Sequence, residues 1–118
     1  MAKRWYAWYD LNKDNTVVQC DFPPKDTSHW RLLRTDYPKV RVSTVFLGLD
    51  HNFLEEGAPI LFETMVFANG AKMIDLACER YSSYSDAVAG HWKFCADAVI
   101  GKYDYAADKA VKTHPEAK

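Results

Sequence analysis

The stretch VRVSTVFLGLDHNFLEEGAPILFETMVFA, residues 40–68, decides the fold. It begins and ends on β-rich segments, 40–49 and 60–68. In the first, Val40, Val42, Thr44 and Phe46 fall on one face of a strand, and Val45, Leu47 and Leu49 on the other. Apolar side chains on both faces predict a central strand covered on each side toward its end. The second segment matches it, with Glu63 as its one interruption. DHNFLEEGAP joins the two, broken by Gly57 and Pro59. So short a connection leaves no room for a crossover, and the two segments are expected to run antiparallel. It is nonetheless long for a hairpin loop, a length that often goes with function.

The same reasoning extends outward. RWYAWYDL, residues 4–11, alternates as a strand, with Trp5, Ala7, Tyr9 and Leu11 on one face and Tyr6, Trp8 and Asp10 on the other. NKDN reads as a turn, and TVVQCDF as a returning strand ended by Pro23-Pro24. Residues 25–39 read as a connector, with a short helical turn capped by Thr27 or Ser28. On the C-terminal side, Asn69-Gly70 is a tight-turn signal leading to a strand over 71–81, a stretch whose 3.6-residue period also fits a helix. Ser83 and Asp86 have capping-box spacing. Tyr84, Ala87, Val88, His91, Cys95, Ala98 and Val99 then recur at helical intervals, predicting a helix over 84–100. The expectation is a single α+β domain over 1–118. An antiparallel sheet of four to five strands carries one principal C-terminal helix on one face. The core spans about 4–101, and 102–118 form a polar, partly mobile tail.

Composition narrows the function classes. With 118 residues, 48% hydrophobic, the chain can bury a core without disulfides or a structural metal. A formal charge of −1, with mixed signs along the chain, disfavours nucleic acid as a partner. Cys20, Cys78 and Cys95 form no C-x-x-C pair, which disfavours a zinc ribbon or redox dithiol and fits reduced thiols in a cytosol. No apolar run reaches membrane-spanning length, and Asp10 arrives too early for a signal-peptide core.

The polar residues admit several chemistries. Asp50-His51 stands where a core segment leaves the sheet, a place for a catalytic or metal-binding pair or for a loop cap. His91 and Cys95 share a helical face and, with His51 and Cys78, are candidate metal ligands; their bland reading is core packing, with the imidazole bonded to a backbone carbonyl. Glu63 would pair with Arg80 or Arg41, or meet His51 as a general base. Asp10, Asn12, Asp14 and Asp21 match positions of a calcium loop, but Asn15 replaces its glycine and Pro23-Pro24 forbid an exiting helix; a hairpin turn uses the same residues. Trp5, Tyr6, Trp8 and Tyr9 are candidate partner contacts where their rings are exposed, together with Asp50, His51, Asn52 and Phe53.

The blocks STVFLGLDHNF, PILFETMVF and ERYSSYSDAVAGH, within residues 40–91, resemble a family of small uncharacterised phage and prophage proteins with the pattern STVFLGLDHxF, PxLFETMVF and ERYS followed by AGH. Asp50, His51, Glu63, Arg80 and His91 stand at its motif positions, and no catalytic role carries over from it. The resemblance implies a viral accessory protein in the cytoplasm of an infected bacterial cell. It would bind a host or viral protein, in host takeover or counter-defence, without catalysis or a cofactor. One rival is a small metal-assisted hydrolase or nucleotide-binding protein, which needs Asp50, His51, Glu63 and His91 to converge. A further rival is a homo-oligomeric virion or structural component joined by a sheet edge.

Overall fold

The computed structural model describes residues 7–54, 56–69 and 74–104. Strand β1 (Trp8–Leu11) pairs antiparallel with β2 (Val17–Cys20) in a two-stranded ribbon. A 3-10 turn at Ser28–Trp30 leads into β3 (Arg31–Asp36), and β4 (Val40–Phe46), β5 (Phe62–Ala68) and β6 (Ile74–Tyr81) complete a four-stranded antiparallel meander in chain order. Helix α1 (Tyr84–Val99) follows. The α+β class is as the sequence predicts, and 74–81 are strand.

The register of β4 on β5 is unbroken, from Val40 opposite Ala68 to Phe46 opposite Phe62. Burial alternates along both strands, so Val40, Val42, Thr44 and Phe46 share the buried face with Phe62, Thr64, Val66 and Ala68. The helix lies on that face through Ala87, Gly90, His91, Phe94 and Cys95. Among the described residues no element supplies the expected second cover, and the opposite face is only half-buried. Leu47 and Leu49 lie past the end of β4, and Val45 shares its face with Arg41, Ser43 and Glu63.

Three further sequence expectations are corrected. β3 lies in what reads as connector, because a bulge between Arg31 and Leu33 breaks its alternation. The N-terminal ribbon is a separate sheet, tied to the main one by a bridge between Trp8 and Leu49. Ala68 pairs with Ile74, a register that does not fit a two-residue turn at Asn69-Gly70; residues 70–73, which include the start of the expected 71–81 strand, lie outside the described residues. Of the capping box, the structure shows the half in which Ser83 Oγ accepts from the Asp86 amide at 3.1 Å. Tyr103, beyond the expected core limit, is buried with Val40, Val42 and Phe94.

The buried face divides into two apolar clusters. Val40, Val42, Val66, Ala68, Phe94, Cys95 and Tyr103 form one; Leu11, Phe46, Leu61, Phe62, Tyr81 and Ala87 form the other. Thr44 and Thr64, opposite each other in the register, lie between them with His91. Gly90 lets the helix seat on β6, because a methyl group there would overlap the Tyr81 ring and hydroxyl. In an exposed helix, Gly→Ala gains about 1 kcal/mol. Here Tyr81 is only 9% exposed, so its ring and hydroxyl must shift within packed surroundings to admit the methyl group. Gly90→Ala is therefore expected to destabilise by a net ~1–2 kcal/mol, overpacking outweighing the helix gain. Thermal unfolding checks this, and a raised midpoint would refute the tight seating.

Candidate functional site

Beyond Phe46 the β4–β5 pairing continues as single bonds. The Leu47 amide donates to Leu61 O (2.7 Å) and the His51 amide to Ile60 O (2.9 Å). This leaves a short loop whose amides face inward, and the Asp50-His51-Asn52 trio organises it. Asp50, 2% exposed, accepts from the amides of Asn52 (2.7 Å) and Ile60 (2.8 Å) through Oδ1, closing the loop at its base. Asn52 is buried and spans the middle. Its Nδ2 donates to Glu56 O (3.2 Å) and Ala58 O (2.9 Å), and its Oδ1 accepts from the Leu54 amide (3.0 Å). Polar side chains thus replace the ladder that the loop has left. His51 Nδ1 donates to Leu49 O at 2.7 Å, so the neutral ring carries its proton on Nδ1, and the ring leans on Phe53.

The tip of this loop is apolar and wet. Phe53 is 60% exposed and Leu54 72%. The base of the N-terminal ribbon adjoins it. The Tyr9 amide donates to Gly48 O at 2.7 Å, Trp8 bridges Leu49, and burial together with the nearby Asp50 charge raises the Tyr9 phenol above its ordinary range. The structure therefore brings together Trp8, Tyr9, Asp50, His51, Asn52 and Phe53. Trp5 and Tyr6 lie outside the described residues.

The residues a metal-assisted hydrolase would need do not converge. Glu63 faces away from the helix, where it accepts from Arg80 Nε at 2.8 Å and Cys78 Sγ at 3.5 Å. Burial, then the Glu63 charge, pushes the Cys78 thiol up, away from a reactive thiolate. His91 lies on the other side of the sheet, fully buried, with Nδ1 2.8 Å from Thr44 Oγ1 and Nε2 3.0 Å from Thr35 Oγ1. Its partners are two threonine hydroxyls, not the backbone carbonyl expected from sequence. Thr44 Oγ1 also lies 2.6 Å from Thr64 Oγ1. Among the described residues, no group of three or more His, Cys, Asp or Glu gathers as a metal site, so His51, His91 and Cys95 are not joined in one.

The residues of the calcium-loop pattern make the bonds of a hairpin turn and its base. Asp10 accepts from Trp30 Nε1 (2.9 Å), His29 Nε2 (2.7 Å) and the Leu11 amide (2.8 Å). Burial alone would raise its carboxyl, but these bonds outweigh burial and hold it below the ordinary range. Asp14 accepts from the amide and hydroxyl of Thr16, Asn12 Nδ2 donates to Thr16 Oγ1, and Asp21 is exposed past the end of β2. Asn15 takes the left-handed conformation (φ 67°) that closes a hairpin turn.

Sequence reading missed Thr35 and Thr44 as the partners of His91, and Thr64 as the partner of Thr44. The available signal was a hydroxyl at matching places in two apolar stripes, 44 and 64, which requires a polar partner on the covering element. No family model, curated protein or solved structure matches the chain.

Proposed function

We propose that this chain works by binding a protein partner, without catalysis, through the surface formed by the 50–60 loop and the base of the β1–β2 ribbon. The observation that carries this reading is the pairing of a fixed backbone with exposed apolar side chains. Asp50 and Asn52 hold the loop through five hydrogen bonds, and Phe53 and Leu54 stand in solvent at its tip. A loop ordered before binding loses little entropy when it docks, so aromatic and aliphatic anchors on it add affinity cheaply. The resemblance across residues 40–91 supports an accessory role in a phage-infected bacterium, with a host or viral protein as the partner. No helix of the described residues is long and apolar enough to cross a membrane.

Phe53→Ala with Leu54→Ala is expected to weaken partner capture at least tenfold, about 1.4 kcal/mol or more, and to leave thermal stability nearly unchanged. Affinity capture from bacterial lysate, with and without phage infection, measures this against the unaltered chain. Equal recovery of the same proteins by both forms would reject the loop as the binding element.

A further inference from the structure

The ribbon carries a second feature, independent of the loop. We infer that β2 is the edge through which two copies of this chain pair, antiparallel, about a two-fold axis at Val18. The backbone argues for it first. The Asn12 amide donates to Thr16 O at 2.8 Å, which marks those two residues as a hydrogen-bonded pair of the hairpin. Bonded and non-bonded pairs alternate in an antiparallel ladder. In the observed register, Asp10 opposite Val18 is then bonded, while Leu11 opposite Val17 and Tyr9 opposite Gln19 are not. The Tyr9 amide confirms the phase, because it turns away from β2 to Gly48 O. The N–H and C=O groups of Val17 and Gln19 therefore point outward from the ribbon. Among the described residues, β2 pairs with β1 alone.

The side chains agree. Val17 and Val18 are 38% and 43% exposed, Phe22 just beyond is 78% exposed, and Val17–Cys20 holds no charge or proline to guard the edge. A second copy supplies a matching edge at matching spacing. With Val18 on the axis, Val17 bonds Gln19 of the partner subunit, and Val18 packs on Val18 of the partner subunit as a close non-bonded pair. Charge permits this register without selecting it: continued along the chain, it sets Asn15 opposite Asp21 of the partner subunit and Lys13 opposite Pro23 of the partner subunit, so between residues 13 and 23 no like charges face each other.

The interface is small, so the dimer is reversible and concentration-dependent. Sedimentation of the full chain over a concentration series is expected to show a species of twice the 13.5 kDa mass. Gln19→Pro removes an outward N–H and leaves the β1 ladder intact, a change tolerated on edge strands. It is expected to leave only monomer, with far-ultraviolet circular dichroism unchanged. Val18→Lys, which sets like charges on the axis, should do the same, and it decides the matter if the proline variant fails to fold. The register is tested by Val18→Cys in a chain carrying Cys20→Ser and Cys78→Ser. A non-bonded pair places its Cα atoms about 4.5 Å apart, within disulfide reach. Oxidised glutathione should then give a covalent dimer, and Gln19→Cys in the same background a lower yield. A chain that stays monomeric throughout the series, or a dimer that survives Val18→Lys, overturns the inference.

Discussion

Replacing His91 by alanine is expected to cost the fold about 3–4 kcal/mol, because the change both opens a cavity and strands hydroxyls that the imidazole satisfies. The ring is 0% exposed and bonds Thr35 on one side and Thr44 on the other. Losing one partner from a buried network costs more than losing the whole network, since the orphaned groups have no water to turn to. His91→Leu combined with Thr44→Val and Thr64→Val removes the fully buried part of the network and leaves only the half-buried Thr35 hydroxyl to bond water, so it should recover much of the loss, although it removes more hydrogen bonds than the alanine variant. Urea unfolding of the single and triple variants tests this, and a triple variant less stable than His91→Ala would reject it.

The same burial gives a pH dependence of known sign. Burial disfavours the imidazolium and lowers the His91 pKa below its ordinary 6.5. As pH falls through 6.5, the unfolded chain takes up a proton that the folded chain refuses. The stabilisation from neutral His91 is thus fully present above that pH and declines below it, by at most about 1.4 kcal/mol per pH unit, until the folded form titrates too. His91→Leu removes this contribution, so the gap in unfolding free energy between the two proteins should narrow between about pH 7 and about pH 5. A gap constant with pH would mean that the folded imidazole is as easily protonated as the unfolded one.

How much of this was legible in the sequence follows from the range of each interaction. The β4–β5 pair and α1 announce themselves because burial on one face imposes a local period, and Ser83 with Asp86 marks the helix start; β6 was legible as only one of two readings, because 71–81 also carries a helical period. β3 was hidden because its bulge at Arg31/Leu33 shifts the period, and its two arginines and Asp36 look like connector. The polar layer was half legible: His91 falls on the buried helical face, but Thr35 is 56 residues away and is found only when the strands are ordered in space. The loop trio is the converse case. Asp50 and Asn52 bond the amides of residues 52, 54 and 60 and the carbonyls of 56 and 58, all close in sequence, so capping was a readable alternative to catalysis. Exposure of Phe53 and Leu54 could not be read, because apolar residues in a loop look the same whether they turn inward or outward.

The second large effect is expected at Gly48, where two separate demands exclude a side chain. Its φ is 76°, in the left-handed region, where alanine costs about 1–2 kcal/mol. A methyl group there would also overlap the Trp30 indole. That ring cannot move away cheaply. It packs edge-on against Phe46, with centroids 5.2 Å apart, and its Nε1 donates to Asp10 at 2.9 Å, one of two bonds, with His29 to Asp10, that join the N-terminal ribbon to the 3-10 turn. Overpacking against an anchored ring adds about 1–3 kcal/mol, so Gly48→Ala should cost about 3 kcal/mol in all. The two contributions separate in a double-mutant cycle with Trp30→Leu. Leucine removes the overlap and leaves the backbone strain, so in that background Gly48→Ala should cost only about 1–2 kcal/mol, a coupling of about 1–2 kcal/mol. Because Gly48 O also accepts the Tyr9 amide, amide exchange at Tyr9 should quicken in the single variant. An additive cycle with unchanged exchange would mean that Trp30 does not press on this glycine, and that the ribbon is held to the sheet by other contacts.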